Sequence, residues 1–228
     1  SQISGQVEIS GNKNAALPMI AAALLTEEEV ILHNVPDILD VRNMLEIIKD
    51  LGAEVEFQKD ILQIKAKNIN KSEISAQLCN KIRASMLFAG PLLTRCNEAK
   101  LFAPGGDVIG RRRLDGHFYG LKKLGASLDV SEKGFRFVLE KGLSGSDIFL
   151  DEASVTVTEH LLMTAALAKG KTIIRNAACE PHVSQLAELL NKMGAKITGI
   201  DTNLLIIEGV EKLHGAEFCI DGDHIEAA

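Results

Sequence analysis

The stretch APGGDVIGRRRLDGHFYG, residues 103–120, gathers side chains that could do chemistry. Gly105 and Gly106 free the backbone ahead of one carboxylate, Asp107, and three consecutive arginines follow, Arg111, Arg112 and Arg113. A carboxyl group displayed on a glycine-rich loop can give or take a proton, and guanidinium groups beside it can hold phosphate or carboxylate. The net charge of the whole chain is -6, so this cluster is a local concentration and not part of a generally basic surface.

Other candidate groups stand at the starts of apolar helix-period segments. Lys13 and Asn14 open NAALPMIAAALL, Arg83 opens IRASMLFAGPLL, and Ser154 with Thr156 opens VTEHLLMTAALA. Helix N-termini carry unpaired N–H groups and a partial positive charge, which makes each a natural anion site. Taken singly, Asn, Ser and Thr there are also what ordinary N-caps look like. If the three starts converge, they form a pocket for a multiply charged, phosphorylated ligand.

The reason to expect convergence is an internal repeat. LGAEVEF (51–57), LGASLDV (124–130) and MGAKITG (193–199) are versions of one phrase, with Gly52, Gly125 and Gly194 spaced 73 and 69 residues apart. Each phrase follows an amphipathic segment (DVRNMLEIIKD, RRLDGHFYGLKK, PHVSQLAELLNKM) and precedes a β-rich run (ILQIKA, FRFVLE, LLIIEG). The glycine is the expected helix stop. The apolar helices precede VILHN, AKLFA and KTIIRN, so the unit reads helix, strand, helix, strand, strand, three times. No such unit buries its own apolar helix, and the three must pack together around them. Asn34 to Gly52 and Asn176 to Gly194 each span 18 residues, but Ala103 to Gly125 spans 22. The extra length falls in the Asp107 loop, as a functional graft on one copy would.

At 228 residues, 46% hydrophobic and 25% charged, the chain is long enough to bury a sizeable core in one large or two small domains. Its acidity argues against broad binding to nucleic acid or anionic membrane. Cys79, Cys96, Cys179 and Cys219 form no C-x-x-C pair and read as reduced, mostly buried thiols of a cytoplasmic protein. The run AALPMIAAALL (15–25) contains Pro18 and is followed by Glu27, Glu28 and Glu29, which favours a buried helix over a membrane or targeting segment.

The ordered set SGNKNAALP, IRAS, PGGDVIG, LDGH, SVT and NAACEPHV resembles the enolpyruvyl transferase family over essentially the whole chain, and within it the UDP-N-acetylglucosamine 1-carboxyvinyltransferases of peptidoglycan synthesis. The resemblance implies an α/β fold of two domains, each an inside-out α/β barrel of three repeated units with the apolar helices buried. Residues 13–220 would be the catalytic-loop domain, with repeats at about 13–70, 80–142 and 150–210. Residues 1–12 and 221–228 would be the strand and crossover segments leading to the second domain, which supplies further acidic and arginine groups to the cleft. It further implies substrates phosphoenolpyruvate and UDP-N-acetylglucosamine, no cofactor and no metal. Lys13, Asn14 and Arg83 would meet phosphoenolpyruvate. Arg112, Arg113, Leu114, Asp115 and Gly116 would line the sugar-nucleotide site, and Glu152, Ala153, Ser154 and Val155 its diphosphate, with Glu180 at the edge. Asp107 would be the proton donor. Most members carry cysteine where this chain has Asp107, and many carry proline where it has Arg113. The resemblance also implies that the epoxide fosfomycin, which alkylates that cysteine, finds no soft nucleophile at Asp107.

Three alternatives keep their place: the related 3-phosphoshikimate 1-carboxyvinyltransferase, which shares the repeat architecture; a noncatalytic ring-like repeat module; and a metal site at DGDHIE (221–226), less favoured there than an exposed hinge loop.

Overall fold

The computed structural model describes residues 9–105, 114–132 and 134–227. The elements run α1 (Lys13–Ala22), β1 (Glu29–His33), α2 (Leu39–Asp50), β2 (Glu54–Gln58), β3 (Ile61–Lys65), α3 (Ala76–Cys79), α4 (Ala89–Cys96), β4 (Glu98–Phe102), α5 (Asp115–Lys123), β5 (Ser127–Ser131) and β6 (Gly134–Val138). They continue with β7 (Asp147–Phe149), α6 (Val155–Ala165), β8 (Lys171–Arg175), α7 (Pro181–Lys192), β9 (Lys196–Thr198), β10 (Leu204–Glu208) and β11 (Ala216–Cys219). The strands form three separate sheets, ordered β11-β1-β3-β2, β4-β6-β5 and β7-β8-β10-β9.

The threefold repeat is visible in hydrogen bonds. Gly52, Gly125 and Gly194 have φ of +107°, +106° and +100°, the left-handed conformation that favours glycine. Each ends its helix with the same pair of bonds. The glycine N–H donates to the carbonyl three residues back, and the following alanine (Ala53, Ala126, Ala195) donates to the carbonyl five residues back. Asn34 and Asn176 both take φ of +57°, and their side chains donate to Ile220 O and Leu150 O at 2.8 Å.

In the first unit β1, β3 and β2 form the antiparallel core of a sheet, as β4, β6 and β5 do in the second and β8, β10 and β9 in the third. The structure adds something the repeat alone does not contain. A short trailing segment of each unit pairs in parallel with the first strand of the next: Glu73 with Lys100 of β4, β7 with β8, and β11 back with β1. The units are thereby joined in a cycle.

The helices opening the units are buried together. Ala15–Ala22 of α1, Ser85–Leu93 around the start of α4, and Val157–Ala165 of α6 are all withdrawn from solvent. For α1, apolar on every side from Ala15 to Ala22, this is where such a helix belongs; α6 is buried together with polar residues, among them Glu159 and His160. α2 and α5 pack against them with one buried face each, and α7 packs against α1 and α6 with His182–Ala187 wholly buried. The second opener departs from its expected form: Arg83–Phe88 is a 3-10 segment, and α-helix begins only at Ala89. Pro91 explains the break, since its ring would clash with the Leu87 carbonyl in a continuous α-helix but is tolerated in a first turn.

The expectation of mostly buried cysteines is corrected. Cys79 is buried, Cys96 intermediate, and Cys179 and Cys219 are exposed on a loop and on β11. No described helix is long and apolar enough to cross a membrane.

Candidate active site

A cleft of about 1060 Å³ opens where the three core helices begin. Lys13 and Asn14 at the head of α1, Arg83 at the head of the 3-10 segment, and Ser154, Val155 and Thr156 at the head of α6 all line it. Residues 70 positions apart in the chain meet because the units are arranged head to head around one core. Asp40 and Asn43 of α2 form another wall, and Leu114 with His117 forms a further side.

What the cleft offers an anion comes from side chains more than from bare helix ends. Asn12 caps α1, and its Oδ1 accepts from the N–H groups of Asn14 at 2.7 Å and Ala15 at 3.3 Å. Those two amides are therefore occupied. What α1 offers an anion is Lys13, whose Nζ lies 3.2 Å from Asp40 Oδ2 in a half-exposed pair. Such a pair gains little in water, so a doubly charged ligand can compete for the ammonium at small cost. Lys81 is held by Glu46 at the cleft's outer lip. At α6 the Ser154 side chain makes no capping bond, and its N–H donates to Glu152 O at 2.8 Å.

Of the residues singled out in the sequence, Lys13, Asn14, Arg83, Leu114, Glu152, Ala153, Ser154 and Val155 line this one cleft. Asp115 and Gly116 lie in the first turn of α5 and are not among its lining residues. Gly116 serves packing: a Cβ there would stand 2.9 Å from Val157, so its absence lets α5 close on α6. Glu180 is the exposed N-cap of α7 and also lies outside the lining. Its charge acts on Glu159, whose carboxyl is driven well above its ordinary range by burial first and Glu180 second. Asp107, Arg112 and Arg113 lie outside the described residues. Asp40, Asn43, Lys81 and His117 line the cleft but were not singled out. Lys81 stands two residues before Arg83 and His117 ends LDGH, yet neither spacing reveals that they reach the cleft.

Among the described residues, no group of three or more His, Cys, Asp or Glu side chains is placed to hold a metal ion. The segment 221–226 is instead tied to residues 10–12 by both side chains and backbone: Ser10 Oγ donates to Glu226 Oε2, and Asn12 Nδ2 lies 3.3 Å from His224 Nδ1. Asn12 N donates to Asp221 O, Asp223 N donates to Ser10 O, and Gly11 bridges Gly222, so the chain enters and leaves side by side.

The family described as EPSP synthase (3-phosphoshikimate 1-carboxyvinyltransferase) matches residues 1–228. A protein of Treponema denticola named UDP-N-acetylglucosamine 1-carboxyvinyltransferase is 54% identical over 98% of this chain and 52% of its own length. One of the same name from Borreliella burgdorferi is 53% identical over 99% of this chain and 52% of its own length. The chain thus spans about half the length of the curated relatives it matches. Among solved structures, the enolpyruvyl transferase NikO from Streptomyces tendae superimposes with a TM-score of 0.86 at 22% identity, over 100% of this chain and 54% of that one. EPSP synthase from Acinetobacter baumannii gives 0.76 at 20% identity, over 98% and 51%. At these identities the two structures speak to the fold alone.

Proposed function

The chain belongs to the EPSP synthase family, and from that premise we propose that it is the catalytic-loop half of an enzyme transferring the enolpyruvyl group of phosphoenolpyruvate to the 3-hydroxyl of UDP-N-acetylglucosamine, with release of phosphate. The observation that carries the reading is the meeting of Lys13, Arg83 and the Ser154 turn in one cleft, three heads of three repeats. The sugar nucleotide is favoured over shikimate 3-phosphate by identity above 50% to relatives named for it.

In this reading the three sheets and their cyclic parallel pairings form an inside-out α/β barrel of three repeats spanning residues 13–220. The paired segments near Gly11 and Gly222 are the two crossings to a second domain, which completes the cleft. Both substrates are cytoplasmic metabolites, so the enzyme works in the cytoplasm and feeds peptidoglycan synthesis.

The chemistry assigns the roles. The methylene carbon of phosphoenolpyruvate takes a proton, the sugar hydroxyl adds to the neighbouring carbon and loses its own proton, and phosphate leaves as the methylene proton departs again. Lys13, Arg83 and Arg112 hold phosphate and carboxylate, a positioning and electrostatic task. Asn14 orients phosphoenolpyruvate. Arg113 and Leu114 face the nucleotide and Glu152 to Val155 its diphosphate, while Asp115 and Gly116 start the helix behind Leu114 and Glu180 stands outside the cleft lining. Asp107 is the general acid. Arginines hold a carboxyl below its ordinary value near 3.9, whereas bound anions and desolvation raise it. Asp107 therefore donates only in the closed complex with both substrates.

Phosphate release by the two-domain enzyme, with UDP-N-acetylglucosamine or shikimate 3-phosphate as acceptor, tests the reading. Turnover with the sugar nucleotide is expected, turnover only with shikimate 3-phosphate would overturn it, and the 228-residue chain alone is expected to give no steady turnover.

A further inference from the structure

The cleft contains one side chain whose chemistry is settled from behind. His117 of α5, 3% exposed, places Nδ1 2.9 Å from Nδ1 of His160, which lies fully buried on α6. On its far side, His160 Nε2 is 2.8 Å from the backbone N of Gly90 in α4. A backbone N–H can only donate, so His160 Nε2 accepts and carries no proton. The His160 proton is then on Nδ1, where it donates to His117. His117 Nδ1 is therefore the bare nitrogen, and its own proton is on Nε2. Among the described residues that Nε2–H has no hydrogen-bond partner, and His117 lines the cleft.

The packing around the pair holds this arrangement. A Cβ on Gly90 would stand 2.1 Å from Thr164 Oγ1 and 3.1 Å from the His160 ring, so only glycine lets α4 come close enough for the amide to reach the imidazole. Thr164 Oγ1 in turn donates to His160 O at 2.8 Å. The chain Gly90 to His160 to His117 runs in one direction, from core to cleft.

We propose that His160 is a positioning residue that locks His117 as its Nε2–H tautomer, so that His117 presents a fixed, neutral donor to an acceptor oxygen of the ligand in the cleft. The identity of that ligand as the sugar nucleotide rests on the function proposed above; the tautomer lock does not. A donor already oriented needs no reorganisation when the ligand arrives. A neutral imidazole also fits beside Arg83: burial first, then the Arg83 charge, holds His117 down at about 4. Burial and then His117 push His160 well below its ordinary value.

Ring nitrogen–proton correlation spectra of the chain with 15N-labelled histidine test this directly at pH 7. The expected result is opposite tautomers, His160 protonated on Nδ1 and His117 on Nε2. Adding UDP-N-acetylglucosamine is expected to shift the His117 Nε2–H signal without changing the tautomer. His160→Gln, whose amide can both accept and donate, is expected to keep the His117 tautomer, and His160→Phe to mix the two. In the two-domain enzyme His160→Phe then raises KM for the sugar nucleotide roughly tenfold, the scale of one lost oriented hydrogen bond, with kcat less affected. A His117 proton on Nδ1 in the unmodified chain overturns the proposal even if His160→Phe fails to fold. Binding that moves the amides of Ser154 and Val155 but not His117 Nε2–H overturns the donor role. Absence of any response to the sugar nucleotide, with the tautomers as expected, counts against the proposed substrate and supports the lock.

Discussion

Acid should weaken this protein through His117 in a measurable window. The ordinary imidazole value of 6.5 falls to about 4 in the fold because burial, helped by Arg83, penalises the charged ring. Above pH 6.5 both folded and unfolded chains are neutral at this position, and folding is unaffected. As pH falls below that, the unfolded chain gains a proton the folded one refuses, so stability is lost progressively down to about pH 4. At about 1.4 kcal/mol per unit, the window is worth about 3 kcal/mol. The perturbation is His117→Gln, which removes the titration. The assay is urea unfolding of both proteins at pH 7, 5.5 and 4, each stability referred to its own value at pH 7. Unmodified protein should lose about 3 kcal/mol more than the variant across that range. Glu159 acts with the opposite sign, since a raised carboxyl contributes stability that is fully present below its ordinary value and lost as pH rises. It is present in both proteins and cancels in the comparison. Parallel pH profiles, within about 1 kcal/mol of one another, would refute the reasoning.

Further outcomes follow from the same contacts. Lys13→Ala or Arg83→Ala in the two-domain enzyme should lower kcat/KM by about 2–4 kcal/mol of transition-state stabilisation, and near-normal activity in both would mean the anion cleft is misread. Asp107→Asn should bind both substrates yet lose most turnover, whereas Asp107→Cys should make the enzyme sensitive to covalent labelling by fosfomycin, read by mass at that position. Gly90→Ala should lower the thermal midpoint by an overpacking cost of about 1–3 kcal/mol, because its new Cβ meets Thr164 and His160 together. Gly52→Ala should destabilise more than Gly125→Ala: both carry positive φ, but only the first drives a Cβ to 2.3 Å from a backbone oxygen, Asn68 O.

Local rules wrote much of the fold in plain view. Each amphipathic segment needs a left-handed stop, and Gly52, Gly125 and Gly194 are glycines for that reason, so the repeat and its helix ends are readable from composition and spacing. The apolar run of the first opener likewise announces burial, since it leaves no solvent-facing stripe, whereas the third carries Glu159 and His160 and its burial is a tertiary result. Lys13, Arg83 and Ser154 could be nominated because each stands at the head of such a segment. What tertiary structure decided is everything that depends on direction between units. β7 and β11 are three and four residues long, too short for a periodic signal, and they become strands only because the neighbouring unit offers an edge in parallel register. His160 reads locally as one polar residue on a buried helix. Its role exists only once Gly90, 70 residues earlier, brings an amide to one nitrogen and α5 brings His117 to the other. A hydrogen bond's sense is set by both partners at once, and a linear pattern carries only one of them.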